Sequence, residues 1–72
     1  MKKIKKIKIK LNGKTKEITV NTKVLNLISN LKIPIKKVAI ELNNEILDKK
    51  KLNKIKLKQN DKMEIVHFIG GG

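Results

Sequence analysis

The sequence predicts an α+β fold in which one mixed sheet of four to five strands packs on a single helix. Three observations lead to this prediction. Apolar residues alternate with polar ones in several short segments, which is the period-two pattern of half-buried strands. The dipeptide Asn12-Gly13 separates the first two of these segments, and Asn-Gly is the strongest short signal for a β-hairpin. Only one segment has apolar residues at helical spacing, so one helix has to cover one face of the sheet.

The first two strands are predicted on either side of that dipeptide. Apolar residues occupy every second position across residues 7–11, with lysines between them, and Ile18 and Val20 alternate with polar neighbours in the second strand. Side chains at alternate positions of a strand point to opposite faces of the sheet. Each strand therefore has one apolar face that needs cover and one polar face that can meet water.

The helix is predicted directly after the hairpin. Its apolar residues share one face because they fall at positions i, i+3, i+4 and i+7. These residues are Val24, Leu27, Ile28 and Leu31. The side-chain oxygen of Thr22 or Asn21 is expected to cap the N-terminus of the helix. Pro34 lies beyond its end, where a helix cannot continue.

Three further strands complete the predicted order β-β-α-β-β-β. Apolar residues alternate across residues 38–42, and Asn43-Asn44 supplies a tight turn before a short strand at 45–47. Residues 48–60 are predicted as a loop with a few core contacts. Asn60-Asp61 then turns the chain into the last strand, which is predicted for residues 62–69.

Length and composition predict one domain, residues 1–72, whose core stabilises the fold without cross-links. The chain has no cysteine, and hydrophobic residues make up 39% of it. A single core of this size is close to the minimum that holds a fold without disulfides or a metal. No apolar run approaches the roughly 18 residues that cross a bilayer, and the lysine-rich N-terminus lacks the apolar stretch of a secretory signal. We expect a cytoplasmic protein that does not bind a membrane.

The formal net charge of +13 is compatible with nucleic-acid binding. All 19 basic residues are lysine, however, and arginine is the residue that makes bidentate contacts with bases and phosphates. Phe68 is the only aromatic residue, so single-stranded bases have no stacking platform. We favour a solvated lysine surface with weak, salt-sensitive affinity for polyanions. A lysine-rich nucleic-acid-binding module is the alternative from another functional class.

The sequence lacks the side-chain combinations of catalytic and metal sites. A nucleophile needs an adjacent base, and the chain has one serine, Ser29, and one histidine, His67, predicted on a helix and a strand. A metal site needs three or four donors. We therefore predict that the chain is not an enzyme, and that it binds no metal or cofactor of its own.

The chemically distinctive segment is the run of glycines Gly70, Gly71 and Gly72. Glycine has no Cβ, so a glycine tail can pass through channels that are closed to other residues. We predict that residues 69–72 form a flexible tail, which delivers the α-carboxylate of Gly72 to another protein's active site. A carboxylate is a poor electrophile until it is activated, usually as a mixed anhydride with AMP. A frayed end without function is the alternative.

The last strand places apolar residues on both faces of the sheet. Met63 and Ile65 share one face, whereas Val66 and Phe68 share the other, next to the glycine tail. An exposed apolar cluster of this kind marks a partner-binding surface. Val66 and Phe68 are therefore candidate partner contacts. The alternative is that loops partly cover both faces.

Two segments resemble the sulfur carrier family of thiamine biosynthesis, the ThiS family. Residues 60–72, NDKMEIVHFIGGG, are similar to the C-terminus of that family, and residues 38–47, VAIELNNEIL, are similar to its middle strand and turn. The resemblance implies the ubiquitin-like β-grasp fold. Asn60 stands where the family usually has glycine. Because asparagine tolerates positive φ, the turn is retained.

The resemblance also implies a function. An E1-like adenylyltransferase of the ThiF type would use ATP to adenylate the carboxylate of Gly72, and a sulfur donor such as a cysteine desulfurase system would supply the sulfur of a thiocarboxylate. A thiazole synthase of the ThiG type would use that sulfur for the thiazole ring of thiamine. Gly71 and Gly72 match the terminal diglycine of the family, and Val66 and Phe68 match positions expected at partner interfaces.

Two related functions share this fold and tail. The small subunit of molybdopterin synthase carries sulfur for the molybdenum cofactor, and ubiquitin-like modifiers are joined to lysines. The short Asn43-Asn44 segment and the ending His-Phe-Ile-Gly-Gly-Gly favour the thiamine branch. The sequence leaves the other two functions open.

Overall fold

The computed structural model describes residues 5–68, which form a five-stranded sheet, one α-helix and two short 3₁₀ helices. The predicted order β-β-α-β-β-β is confirmed. The helix α1 is Val24–Asn30, and the 3₁₀ helices are Ile35–Lys37 and Lys49–Lys54. The strands are β1 Lys6–Leu11, β2 Lys14–Thr19, β3 Val38–Leu42, β4 Glu45–Ile46 and β5 Lys62–His67.

The strand that comes last along the chain occupies the centre of the sheet, whose order is β2-β1-β5-β3-β4. β5 pairs antiparallel with β3 from Met63 to His67, and it pairs parallel with β1 only at Lys62 and Met63, whose partners are Lys10 and Leu11. The sheet is therefore mixed, as predicted. The second half of β5 has a neighbouring strand on one side only.

Asparagines with positive φ make the tight turns that connect the strands. Asn12 and Gly13 have φ of 50° and 81°, and Asn43 and Asn44 have φ of 52° and 73°. Two consecutive residues with positive φ give a turn whose twist matches that of the strands it joins. Asn60, with φ of 71°, turns the chain toward β5 as predicted. These turns fix the register of both hairpins.

The core lies between one face of the sheet and α1. The helix buries Val24, Leu27 and Ile28, as its spacing predicts, and Leu31 packs against the core from just beyond the helix end. No polar or charged side chain is buried within residues 5–68. The buried side chains of the core are Ile9, Ile18, Val24, Leu27, Ile28, Val38, Ile40, Leu52, Leu57, Met63 and Ile65.

The segment predicted as a loop, residues 48–60, contains the 3₁₀ helix Lys49–Lys54. Asp48 begins this helix, since its side chain accepts a hydrogen bond of 2.9 Å from the Lys50 backbone N–H. Leu52 is completely buried in the core. The predicted core contacts are confirmed, since Leu57 is buried as well. The 3₁₀ helix was not predicted, because the few apolar residues among lysines show no helical period.

The predicted cap of α1 was wrong. Lys23 occupies the N-cap position, and no side chain caps the helix. The Thr22 hydroxyl instead donates a hydrogen bond of 2.6 Å to the Thr19 carbonyl, which closes the turn after β2. Val20, predicted in β2, lies in this turn beyond the strand and is 42% exposed.

β5 ends at His67, two residues before the predicted end of the last strand. Residue 69 and the predicted flexible tail 69–72 lie outside the described residues. Over residues 5–68, no helix has the length and hydrophobicity that spanning a membrane requires.

Candidate partner-binding site

β5 presents an apolar side chain to each face of the sheet, as its alternation predicts. Met63 and Ile65 are 0% and 8% exposed in the core, whereas Val66 and Phe68 are 52% and 53% exposed on the opposite, outer face. The loops within residues 5–68 leave these two outer side chains open. Val66 and Phe68 therefore lie together at the end of β5, from which the chain continues toward the glycines.

The register of the sheet adds two more apolar residues to this outer face. Val66 pairs with Ala39 of β3, and Glu41 of β3 pairs with Ile46 of β4. Directly paired residues share a face of the sheet, and Ile46 is 74% exposed. We call Ala39, Ile46, Val66 and Phe68 the outer apolar surface. It holds three of the four exposed large hydrophobic side chains among the described residues.

Two carboxylates lie within this surface. Glu41 and Glu64 are directly opposite each other on β3 and β5, an arrangement that is unfavourable for like charges. The Lys62 ammonium, 3.6 Å from the Glu64 carboxylate, offsets part of this repulsion. The chain has 19 lysines and only six acidic residues, yet two of those six lie side by side here. The surface therefore offers a partner both apolar contact and acceptors for cationic side chains.

Phe68 fixes the point at which the chain leaves the sheet. Its backbone N–H donates a hydrogen bond of 2.9 Å to the Lys37 carbonyl, which extends the ladder between β3 and β5 by one residue. The Lys49 ammonium lies 5.3 Å from the centre of the Phe68 ring. A cation over an exposed aromatic ring contributes roughly 0.5–1 kcal/mol. The residue before the tail is therefore held by both its backbone and its ring.

The other residues singled out from the sequence do not assemble into a second site. Gly70, Gly71 and Gly72 lie outside the described residues. His67 is exposed at the end of β5, opposite Val38. Within the described range, no three side chains among histidine, aspartate and glutamate lie close enough to hold a metal ion.

Ile46 and the two glutamates were not identified from the sequence as part of a site. The Asn43-Asn44 turn contains the signal that places Ile46 beside Glu41. A two-residue turn fixes the register of its hairpin, which pairs Leu42 with Glu45 and Glu41 with Ile46. Placing Glu41 opposite Glu64, however, requires the long-range register between β3 and β5.

The model of the ThiS family matches residues 9–72 of this chain. The chain belongs to the ThiS family. Among curated relatives, the Bacillus subtilis sulfur carrier protein ThiS is 35% identical over 65 residues, which are 89% of this chain and 98% of that protein. This family match favours the thiamine branch over the molybdopterin synthase subunit that shares its predicted fold.

Two thiazole synthases are also similar to this ThiS-family chain. Those of Paramagnetospirillum magneticum and Magnetococcus marinus are 36% and 35% identical to it over 66 residues. The matched residues are 92% of this chain but only 20% of each synthase. The chain therefore spans about a fifth of the length of these relatives.

Solved structures of a ThiS protein confirm the fold. The crystal structure of thiamine biosynthesis protein ThiS from Geobacter metallireducens superposes with a TM-score of 0.81 at 30% identity, covering 92% of this chain and all of that one. A solution structure of a thiamine biosynthesis protein from the same organism gives a TM-score of 0.74, also at 30% identity, covering 92% of this chain and 88% of that one. The predicted ubiquitin-like β-grasp fold is therefore correct.

Proposed function

We propose that this protein is a sulfur carrier of thiamine biosynthesis and that the α-carboxylate of Gly72 carries the sulfur as a thiocarboxylate. The observation that supports this most strongly is the family match over residues 9–72, because it includes all three glycines of the tail. The similarity to nearly the whole of a named sulfur carrier supports it further. In this proposed function, Gly72 is the C-terminal residue of the mature protein.

The proposed chemistry requires two substitutions at one carbonyl carbon. A carboxylate oxygen of Gly72 attacks the α-phosphate of ATP, pyrophosphate leaves, and an acyl adenylate forms. The outer sulfur of a persulfide on the donor then attacks the carbonyl carbon and AMP leaves, which gives an acyl disulfide. A thiol reduces the S–S bond of this acyl disulfide and is itself oxidised to a disulfide, so that sulfur has replaced one oxygen as a thiocarboxylate. The glycines have no side chain to obstruct either attack, and positioning of this kind supplies several kcal/mol of a barrier.

In this scheme the chain supplies the acyl group, while its partners supply the catalysis. We infer that an E1-like adenylyltransferase of the ThiF type binds the ATP, and that a donor such as a cysteine desulfurase system provides the sulfur. The carrier itself then needs no cofactor, no metal and no catalytic side chain. Since adenylation consumes ATP, we place the proposed reaction in the cytoplasm.

The proposed acceptor of the sulfur is a thiazole synthase of the ThiG type. In two relatives, a segment similar to this chain is part of a protein named thiazole synthase. A carrier and a synthase within one polypeptide are held close together, which favours a direct contact between their separate counterparts. We propose that the outer apolar surface docks on the adenylating enzyme and on the thiazole synthase. Val66 and Phe68 are its contacts nearest the tail.

Docking has to bring the active site of the partner enzyme close to the end of β5. Gly72 is the fourth residue after Phe68, and four extended residues span at most roughly 14 Å. Phe68 is itself attached to β3 through the Lys37 carbonyl. The reacting carbon of Gly72 must therefore be captured within that distance of the sheet.

Intact mass spectrometry tests the proposed carrier function. Incubation with the adenylating enzyme, ATP and a sulfur source should add about 16 Da to the wild type, whereas deletion of Gly72 should abolish the gain without unfolding the domain, since exposed termini contribute little to stability. Addition of one alanine after Gly72 is the matched control, because it converts the Gly72 carboxyl group into a peptide bond and moves the free carboxylate one residue along. Sulfur gain by either variant would show that the Gly72 carboxylate is not the required group.

A pair of valine substitutions tests the docking surface. Val66→Ser removes an exposed methyl pair from the outer apolar surface, and Val20→Ser makes the same change at a valine of similar exposure outside that surface. We expect Val66→Ser to weaken binding to the adenylating enzyme or the synthase and Val20→Ser to leave it unchanged, as measured by calorimetry. Equal affinities of the two variants for both partners would contradict the assignment.

A further inference from the structure

The second half of β5 has backbone hydrogen-bonding groups that face away from β3. Bonds from Asn43 N–H to the Lys62 carbonyl and from Phe68 N–H to the Lys37 carbonyl show that even-numbered residues of β5 bond to β3. Backbone groups alternate in direction along a strand. The groups of Met63, Ile65 and His67 therefore point to the opposite side, toward β1.

β1 covers only the beginning of this side. The backbone N–H of Asn12 donates to the Met63 carbonyl at 2.9 Å, and the Asn12 side-chain oxygen accepts from the Ile65 N–H at 2.7 Å. The Asn12 side chain thus takes the place of the backbone carbonyl that a longer β1 would supply. At Asn12 and Gly13 the chain turns away into β2.

An open strand edge remains beyond this turn. Its groups are the Ile65 carbonyl and the N–H and carbonyl of His67. The registers of β5 with β1 and β3 give these groups no partner within residues 5–68, and no turn or side-chain hydrogen bond reaches them there. His67 is exposed, and a Cβ added to Gly13 would meet nothing within 4 Å, so no atom of residues 5–68 fills the space next to Gly13. Unpaired groups of this kind are a template for a strand from another chain.

We propose that an extended segment of the adenylating enzyme adds to this open edge as a further strand. This inference rests on the proposed function. The edge directly precedes the residues that lead to Gly72, so a strand paired here would fix the origin of the tail relative to the enzyme. Binding through the edge is independent of side-chain contacts on the outer apolar surface, because the backbone groups point along the sheet and not out of its face.

Charge favours an acidic segment of a partner over a second copy of this chain. The neighbouring hairpin has Lys8, Lys10, Lys14 and Lys16, with Glu17 as its acidic residue. A second copy would bring the same lysines and a net charge of +13 to the edge, and like charges across an interface oppose association. An extended segment rich in aspartate or glutamate would match both the edge and its surroundings.

Proline and alanine at position 67 test this inference. His67→Pro removes the N–H of the open edge and places the proline ring there, while the ladder to β3 uses the neighbouring even-numbered residues. His67→Ala keeps the N–H. We expect His67→Pro to weaken binding to the adenylating enzyme by about tenfold or more, as loss of strand pairing predicts, and His67→Ala to keep wild-type affinity. Unchanged affinity of a folded His67→Pro variant, or an equal loss with His67→Ala, would overturn the inference.

Amide hydrogen exchange of the wild type provides a test that needs no variant. In the free protein the His67 amide should exchange fast, while the Phe68 amide, bonded to Lys37, exchanges slowly. Saturation with the adenylating enzyme should slow His67 and leave Phe68 slow. Fast exchange at His67 in the complex would refute strand addition, and slowing that depends on carrier concentration without the enzyme would identify a second copy as the occupant.

These readouts separate this inference from the proposed function. Sulfur gain by the wild type together with an unprotected His67 amide would overturn strand addition alone. A protected His67 amide in a carrier that gains no sulfur would overturn the thiocarboxylate proposal and support the docking edge.

Discussion

Loss of the Asn12 side-chain oxygen should destabilise the sheet at the junction of β1, β2 and β5. The Asn12 side-chain oxygen accepts the part-buried N–H of Ile65 at 2.7 Å, and Asn12 itself has φ of 50°. Asn12→Gly removes the acceptor and retains easy access to positive φ. Asn12→Asp retains an acceptor in the same place and is the matched control.

The expected loss of unfolding free energy for Asn12→Gly follows from the Ile65 N–H, which loses its acceptor. Leaving a buried donor unsatisfied costs about 1–3 kcal/mol, and the lower half of that range applies because the site is only part-buried. A change of 1 kcal/mol shifts the melting temperature of a domain this small by roughly 4–8 °C. Asn12→Gly should therefore melt roughly 4–16 °C lower than the wild type, and Asn12→Asp should melt close to the wild type.

Urea unfolding followed by far-ultraviolet circular dichroism measures this effect. The chain has no tryptophan or tyrosine, so intrinsic fluorescence gives no useful signal. The difference between the glycine and aspartate variants isolates the hydrogen bond from the backbone conformation. Equal free energies of unfolding for the two variants would refute the role assigned to the Asn12 side chain.

Three further predictions concern the core, the turn before β5 and the net positive charge. Leu52→Ala should lower the free energy of unfolding by about 2–5 kcal/mol because Leu52 is fully buried. The control Ile46→Ala, at a 74% exposed site, should change that free energy by no more than about 0.5 kcal/mol in the same urea unfolding assay. Asp61→Ala removes the acceptors of the Lys58 N–H and the Asn43 amide and should cost about 1–2 kcal/mol in thermal unfolding, whereas an unchanged melting temperature would contradict it. Affinity for DNA, measured by fluorescence anisotropy, should fall steeply with salt and show no sequence preference; tight binding at high salt would revive the nucleic-acid hypothesis.

Features encoded by a few adjacent residues were predictable from the sequence. The asparagine turns were predictable because asparagine tolerates positive φ, and Asn12, Asn43, Asn44 and Asn60 all adopt it. The opposite faces of β5 were predictable because strand alternation depends only on position. The candidate contacts Val66 and Phe68 are exposed for this reason.

Features that depend on contacts between distant residues were not predictable. Leu52 belongs to the core, but one apolar residue within a run of lysines gives no period from which the 3₁₀ helix Lys49–Lys54 could be deduced. The Thr22 hydroxyl bonds to the Thr19 carbonyl instead of capping α1, and its residue type and position near the helix start do not distinguish these two roles. The open edge at His67 emerges only once the register between β1 and β5 is known.

The central position of β5 has a consequence for protein synthesis. Of the five strands, β5 leaves the ribosome last. It nevertheless lies between β1 and β3, which do not pair with each other. Before β5 emerges no strand joins the two hairpins, so we expect the sheet to close only when β5 pairs with both β1 and β3. The strand that leads into the glycines is thus the same strand that joins the two hairpins into one sheet.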